Sequence, residues 1–88
     1  MKIKDGYMLR DVAGYYVVVP VGDAALDFNG MINLNETGAL LWKILSDGAD
    51  AETLVSALLA EYDVTPDIAK RDVEGFIIKM REANLIDE

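Results

Sequence analysis

Short runs of β-branched and aromatic residues occupy the first part of the chain, and they predict strands. Two such runs, 7–12 and 15–21, are separated by Ala13-Gly14. Runs of this kind joined by a short turn that contains glycine are typical of a β-hairpin. Pro20 has no backbone N–H to donate to a ladder, so we expect it at a sheet edge or at the end of its strand.

A third strand signal lies in residues 25–34. Asn29-Gly30 divides this stretch and suits a type I′ turn, because both central residues of that turn take positive φ. The stretch predicts either a small hairpin or one bent strand with a bulge, and both alternatives stay open. The N-terminal part of the chain therefore predicts an antiparallel sheet of three or four strands.

From residue 35 onward the apolar residues recur at helical spacing, and three α-helices are predicted. Each begins at a polar residue that can cap its first turn, namely Asn35, Asp50 and Thr65. Pro66 strengthens the third start, because proline at the first helical position gives up no helical hydrogen bond. We expect the first helix to end at Asp47-Gly48, where glycine can follow the last turn. The fold class is therefore α+β, with the sheet first and three helices after it.

Size and composition indicate one small binding domain. Eighty-eight residues, 52% of them hydrophobic, are enough for a single modest core, so we expect one domain over residues 1–88. The chain has no histidine and no cysteine, and therefore lacks the usual near-neutral proton shuttle and the best nucleophile. Its carboxylates lack a partner base and the companions of a metal site. We expect neither catalysis nor a cofactor nor a bound metal.

The apolar pattern also bears on location. No basic segment followed by an apolar one begins the chain, and the longest apolar run, 15–21, is far too short to span a bilayer. The lack of cysteine favours a reducing compartment. We expect a cytoplasmic protein that does not associate with membranes.

Charge is unevenly distributed along the chain. The net charge is −8, from 16 acidic and 8 basic residues. An acidic body of this kind repels phosphate backbones, which argues against nucleic acid as a partner. Half of the basic residues lie on the predicted third helix: Lys70, Arg71, Lys79 and Arg81.

The third helix, predicted to run to about residue 83, has two distinct faces at about 100° per residue. Gly75 and Ile78 fall outside its core stripe. Glycine inside a helix costs about 1 kcal/mol relative to alanine, so Gly75 requires a compensating reason. Either Gly75 packs against the protein's own sheet, with Ile78 as a single exposed apolar residue, or it admits the backbone of a ligand. The core stripe consists of Ala69, Val73, Phe76, Met80 and Ala83.

The predicted sheet could form the other side of a binding site beside the third helix. A sheet of three or four strands exposes at least one edge, and a bare edge can accept an added strand. In this mode of recognition the peptide main chain supplies affinity and alternate side chains supply specificity. A groove between that edge and the third helix suits an extended peptide.

Several segments together resemble the PqqD family. They are the nine residues from Leu34 to Trp42 (Leu-Asn-Glu-Thr-Gly-Ala-Leu-Leu-Trp), then Asp47-Gly48, then Asp72-Val73, and the terminal Ala83-Asn84-Leu85-Ile86. Their order and spacing agree with the family over nearly the whole chain. Asn84 departs from it, because the family commonly has glycine near the last turn; asparagine also tolerates the left-handed conformation.

The resemblance implies a winged helix-turn-helix-like domain that recognises the precursors of ribosomally made, later modified peptides. Such proteins bind the precursor's leader as a strand added between the third strand and the third helix. They present it to a modifying enzyme, often a radical S-adenosylmethionine protein. By position, the groove would involve residues 26–34 and 71–82, and the strand pattern and helical wheel select the site residues within them. On the strand side these are Leu26, Phe28, Met31, Ile32 and Leu34, and on the helix side Arg71, Asp72, Gly75, Ile78, Lys79 and Glu82.

Other functions are disfavoured by particular residues. A winged-helix DNA-binding transcriptional regulator is the main alternative, because that geometry is common among repressors; residues 50–63, however, carry four carboxylates and no cation. A carrier protein would need a serine after aspartate at a helix start, and neither Ser46 nor Ser56 has that setting. We expect a monomer, or a weak or domain-swapped homodimer formed through the open sheet edge.

Overall fold

A three-stranded antiparallel sheet followed by three helices forms the body of the protein. The structure, a computed structural model, describes residues 1–22 and 31–88. This arrangement confirms the predicted α+β fold class. In chain order the elements are β1 (Lys2–Ile3), β2 (Tyr7–Val12), β3 (Tyr15–Pro20), β4 (Ile32–Leu34), α1 (Glu36–Ser46), α2 (Ala51–Glu61), α3 (Pro66–Glu82) and β5 (Ile86–Asp87).

The predicted hairpin is present. Strands β2 and β3 pair antiparallel, with Val12 opposite Tyr15. The two turn residues between them, Ala13 and Gly14, have φ of 54° and 86°, the positive values that a tight two-residue hairpin turn requires. Pro20 is the last residue of β3, which confirms its expected place at a strand end.

Strand β4 lies at one margin of the sheet as the described residues form it. The strand order is β2-β3-β4, and β4 pairs antiparallel with β3, placing Leu34 opposite Tyr16 and Ile32 opposite Val18. The turn predicted at Asn29-Gly30, and with it the choice between a hairpin and a bent strand, lies outside the described residues.

All three helices begin at their predicted caps. The Asn35 side chain accepts a hydrogen bond from the Gly38 N–H at 2.8 Å, and Asp50 and Thr65 cap α2 and α3 in the same way. The first helix ends at Ser46, before Gly48 with φ of 92°. The third ends at Glu82, one residue earlier than expected, and Asn84 takes a left-handed φ of 60°. Asparagine therefore takes the left-handed conformation that commonly follows the end of a helix.

A second sheet joins the two ends of the chain and was not predicted. Strand β1 pairs with β5, placing Ile3 opposite Ile86, and both side chains are buried. The Lys4 ammonium donates to the Asn84 side-chain carbonyl oxygen at 2.9 Å. Strands of two residues have no visible periodicity, so a pairing this distant in sequence leaves no local pattern.

The core lies between the inner face of the sheet and the three helices. Trp42 of α1 is 3% exposed, and the α3 stripe is buried except for Ala83, which is half-buried. Ile77, next to Phe76 on the helix, is buried with the stripe. The other principal members of the core are Val18, Leu34, Leu41, Leu45, Leu54, Leu58 and Leu85.

The cap of α2 makes a contribution to stability that depends on pH. Hydrogen bonding to Thr53, first through its side chain and then its backbone N–H, holds the pKa of Asp50 below its ordinary value of 3.8. A carboxylate with a lowered folded-state pKa stabilises the fold above its unfolded pKa and loses that effect as pH falls through the folded value. We therefore expect the difference in melting temperature between the natural protein and Asp50→Asn to be constant near neutral pH and to shrink below pH 3.8. Thermal unfolding by circular dichroism measures it; a difference unchanged by acid would contradict the prediction.

Candidate functional site

A cleft of about 300 Å³ separates the start of α1 from one face of α3. One wall is formed where β4 runs directly into α1, and the other by α3. The first wall consists of Leu34, Asn35, Thr37, Gly38 and Leu41, and the second of Arg71, Asp72, Gly75, Phe76 and Lys79.

The first wall depends on the absence of a side chain at Gly38. This residue is buried in the first turn of α1. A Cβ added there would lie 3.1 Å from the Asn35 side-chain oxygen and 3.3 Å from the Leu34 Cβ. Glycine therefore lets the first turn of the helix pack closely against the end of β4. It was not among the predicted site residues, although glycine inside a helix was the signal that singled out Gly75.

The second wall is open at Gly75. Its lining residues follow a spacing of one, four, five and eight from Arg71, which places them on one side of a helix. Apart from its two chain neighbours and the nearby backbone of its own helix, no described atom lies within 4 Å of a Cβ added at Gly75. The described part of the sheet therefore does not pack against this glycine.

Charged groups stand at intervals along the cleft. Arg71 and Lys79 are cations and Asp72 is a carboxylate, and all three side chains are exposed. The Lys79 ammonium donates a hydrogen bond of 2.9 Å to the backbone carbonyl of Asn33, which joins α3 to β4. Among the described lining residues, cations thus exceed carboxylates in a protein whose net charge is −8.

A hydrogen bond links β4 to α3 beside this cleft. Asn33 is paired in register with Val17 of β3, and its carbonyl also accepts from Lys79 on α3. The Asn33 carbonyl oxygen is therefore accessible from the α3 side of β4.

The structure brings together five of the predicted site residues: Leu34, Arg71, Asp72, Gly75 and Lys79. Leu26 and Phe28 lie outside the described residues.

The remaining four predicted residues do not line the described cleft. Ile32 is half-buried within β4, and Met31, just before that strand, is 68% exposed. Ile78 is 54% exposed and Glu82 is also exposed. Ile78 lies about 20° around the helix from Arg71, so it borders the α3 wall of the cleft without lining it.

A second depression, of about 360 Å³, lies between α2 and α3. Val55 and Val73 form its apolar part, and Glu52, Lys70 and Glu74 surround them. It contains no backbone of the sheet, so nothing in it offers strand pairing.

Comparison with known proteins bears on both walls of the first cleft. The sequence matches the family model described as Coenzyme PQQ synthesis protein D (PqqD) over residues 15–86, a range that contains β3, β4 and all three helices. No curated protein matches this chain.

Two solved structures share the fold. TbiB1 in complex with the TbiA(beta) leader peptide superposes with a TM-score of 0.76 at 24% identity, covering 99% of this chain and 95% of that chain. Lasso peptide synthetase B1 complexed with the leader peptide gives 0.73 at 20% identity, covering 96% and 93%. The likeness shows a common fold, and the match of the family model over most of the sequence shows that the chain belongs to the PqqD family.

Proposed function

We propose that this protein binds the leader segment of a ribosomally synthesised precursor peptide as a strand added to β4, and presents it to a modifying enzyme. One observation carries the proposal: the Asn33 carbonyl is reached from α3, at a sheet margin that no described strand covers. Membership of the PqqD family supports it. So does the fold shared with two proteins that are named as leader-peptide complexes.

The cleft has the parts that strand addition requires. The β4 margin supplies main-chain partners, and the gap beside Gly75 lets a second backbone approach α3. Leu34, Leu41 and Phe76 contribute apolar surface to the cleft, where one apolar side chain of the guest can lie. Arg71 and Lys79 flank it with positive charge. Main-chain pairing gives affinity in this mode, and such pockets give specificity.

The proposed role is recognition without catalysis, and the modifying enzyme performs the chemistry. In the family this enzyme is often a radical S-adenosylmethionine protein. The whole of residues 1–88 then acts as one recognition domain that needs no cofactor of its own and works in the cytoplasm, as a monomer or a weak or domain-swapped homodimer. No helix in the described ranges is long and apolar enough to cross a bilayer.

Charge disfavours DNA binding. In a helix-turn-helix the first helix of the pair crosses the phosphate backbone. Here that helix would be α2, and it and its flanking residues carry Asp50, Glu52, Glu61 and Asp63 without a cation. Since phosphate contacts dominate affinity for DNA, this surface opposes it.

Titration with leader peptides tests the proposal. Synthetic peptides from short open reading frames beside the gene would be added to ¹⁵N-labelled protein, with scrambled peptides as controls. We expect shifted amides in 31–35 and 71–79, slowed hydrogen exchange at the Asn33 amide, and little change at the hairpin turn, Ala13-Gly14. Shifts that avoid both ranges would refute strand addition, and salt-dependent retention on heparin would favour the DNA-binding alternative.

A further inference from the structure

The hydrogen bond between Lys79 and Asn33 places a cation on a backbone carbonyl that a guest strand would use for pairing. The two residues are 46 positions apart in the chain, and the bond of 2.9 Å runs from the Lys79 ammonium to the Asn33 carbonyl oxygen. That carbonyl is therefore accessible to a donor on the α3 side of β4. An added strand would donate one of its own N–H groups to this same oxygen.

We propose that Lys79 caps the β4 margin in the empty protein, and that a guest strand displaces it and offers the released ammonium a carboxylate. This inference rests on the proposed function and adds a rule of specificity to it. The preferred guest carries aspartate or glutamate where its strand passes Asn33. Lys79 is thus a specificity-determining residue as well as a cap.

Two physical reasons support a carboxylate as the new partner of Lys79. An ammonium that loses its acceptor must find another or return to water, and a carboxylate adds Coulomb attraction to the hydrogen bond that a neutral carbonyl provides. The cap also has a use in the absence of a guest, because lysine at an exposed strand edge discourages pairing with a second copy of the chain. Exchange of a carbonyl for a carboxylate therefore favours acidic guests over unrelated strands.

The charge order along α3 makes the rule specific for position. Asp72 lies seven residues before Lys79, about 10 Å along the helix axis. An extended peptide rises about 3.3 Å per residue, so about three guest residues separate the two positions. Acidic residues are expected near Lys79, whereas near Asp72 its carboxylate offsets the charge of the adjacent Arg71 and no such preference is expected.

A displayed library of random segments supplies probes of this rule even where the leader is unidentified. Yeast displaying random 12-residue segments would be sorted with the purified natural protein, with Lys79→Met, and with Lys70→Met. The last variant is a matched control, because Lys70 is an exposed lysine of α3 that lines the α2–α3 depression instead of the cleft. We expect segments selected by the natural protein and by Lys70→Met to be enriched in aspartate or glutamate at one position. Segments selected by Lys79→Met are expected to lack that enrichment.

One selected segment, synthesised with glutamate and with glutamine at that position, measures the exchange directly. The glutamine form should bind the natural protein about three- to fivefold more weakly than the glutamate form, the upper part of the range for an exposed ion pair. For Lys79→Met the two forms should differ by less than about twofold. The glutamine form should also bind Lys79→Met more tightly than the natural protein, because no cap has to be displaced.

A measurement without peptide tests the cap by itself. The carbonyl ¹³C resonance of Asn33 is expected to move in Lys79→Met and to stay in place in Lys70→Met, with both variants folded by circular dichroism. An unmoved Asn33 resonance in Lys79→Met would overturn the inference. So would selected segments that shift the Asn33 amide but show the same acidic preference with Lys79→Met as with the natural protein. Both results would leave peptide binding itself intact. Selected segments that leave β4 unperturbed would overturn the proposed function, and this inference with it.

Discussion

Replacing Trp42 by alanine is expected to lower the free energy of unfolding by about 3–5 kcal/mol. Trp42 is the single tryptophan of the chain and is 3% exposed. It belongs to the core cluster that joins α1 to the sheet and to the other two helices. Removal of its ring takes away buried apolar contacts and leaves a cavity that rigid neighbours fill only in part. Small domains are stable by only about 5–15 kcal/mol, so the variant loses a large share of the total.

Urea unfolding followed by circular dichroism measures this loss, since the change removes the fluorescent residue. Trp42→Phe is the matched control inside the core and is expected to be milder, because it keeps an aromatic ring. Tyr15→Ala is the control on the surface, since Tyr15 is 74% exposed, and is expected to change stability by less than about 0.5 kcal/mol. If the urea midpoint of Trp42→Ala differed from that of the natural protein as little as the midpoint of Tyr15→Ala does, Trp42 would lie outside the core.

The helices were predictable because their limits are determined locally. Asn35, Asp50 and Thr65 each have a side-chain oxygen that accepts from an N–H three residues later. Such caps are a property of adjacent residues and leave a clear sequence signal. The hairpin was predictable for the same reason, because Ala13-Gly14 and Pro20 limit its strands. None of these elements depends on a contact between distant parts of the chain for its limits.

Features that depend on distant contacts were less accessible. The β1–β5 sheet brings the chain ends together through strands of two residues, and the bond from Lys79 to Asn33 spans 46 positions. A helical wheel orders residues around α3 but does not state which direction faces β4, so it does not determine which of them line the cleft. Gly75 and Lys79 line the described cleft, and Ile78 does not.

The contrast between Gly38 and Gly75 indicates what the cleft is for. Both glycines lie inside helices, where alanine would be more favourable by about 1 kcal/mol. At Gly38 close packing against Leu34 and Asn35 accounts for the lack of a side chain. At Gly75 no contact with a described residue accounts for it. The open space beside Gly75 among the described residues is compatible with the proposed approach of a guest backbone.

Side chains introduced at Gly75 are therefore expected to stabilise the fold and to weaken peptide binding. Gly75→Ala should raise the free energy of unfolding by about 0.4–1 kcal/mol, since the position is helical and the space around it is open. Gly75→Gln should weaken binding of a leader peptide by about 1–3 kcal/mol, roughly 5- to 150-fold, because its bulk occupies the path of the guest backbone. Isothermal calorimetry and thermal unfolding on the same samples measure the two effects.

Matched variants separate bulk, charge and general damage. Gly75→Glu has nearly the same shape as Gly75→Gln, so any further loss of affinity reports its charge. Ala60→Gln places an identical side chain on the exposed surface of α2 and is expected to bind peptide normally. The opposite direction of the two changes at Gly75 is the informative result, because a variant that merely disrupts folding loses stability and binding together. If Gly75→Gln bound a leader peptide as tightly as the natural protein does, the guest backbone could not pass this face of α3, and the groove would have to lie elsewhere.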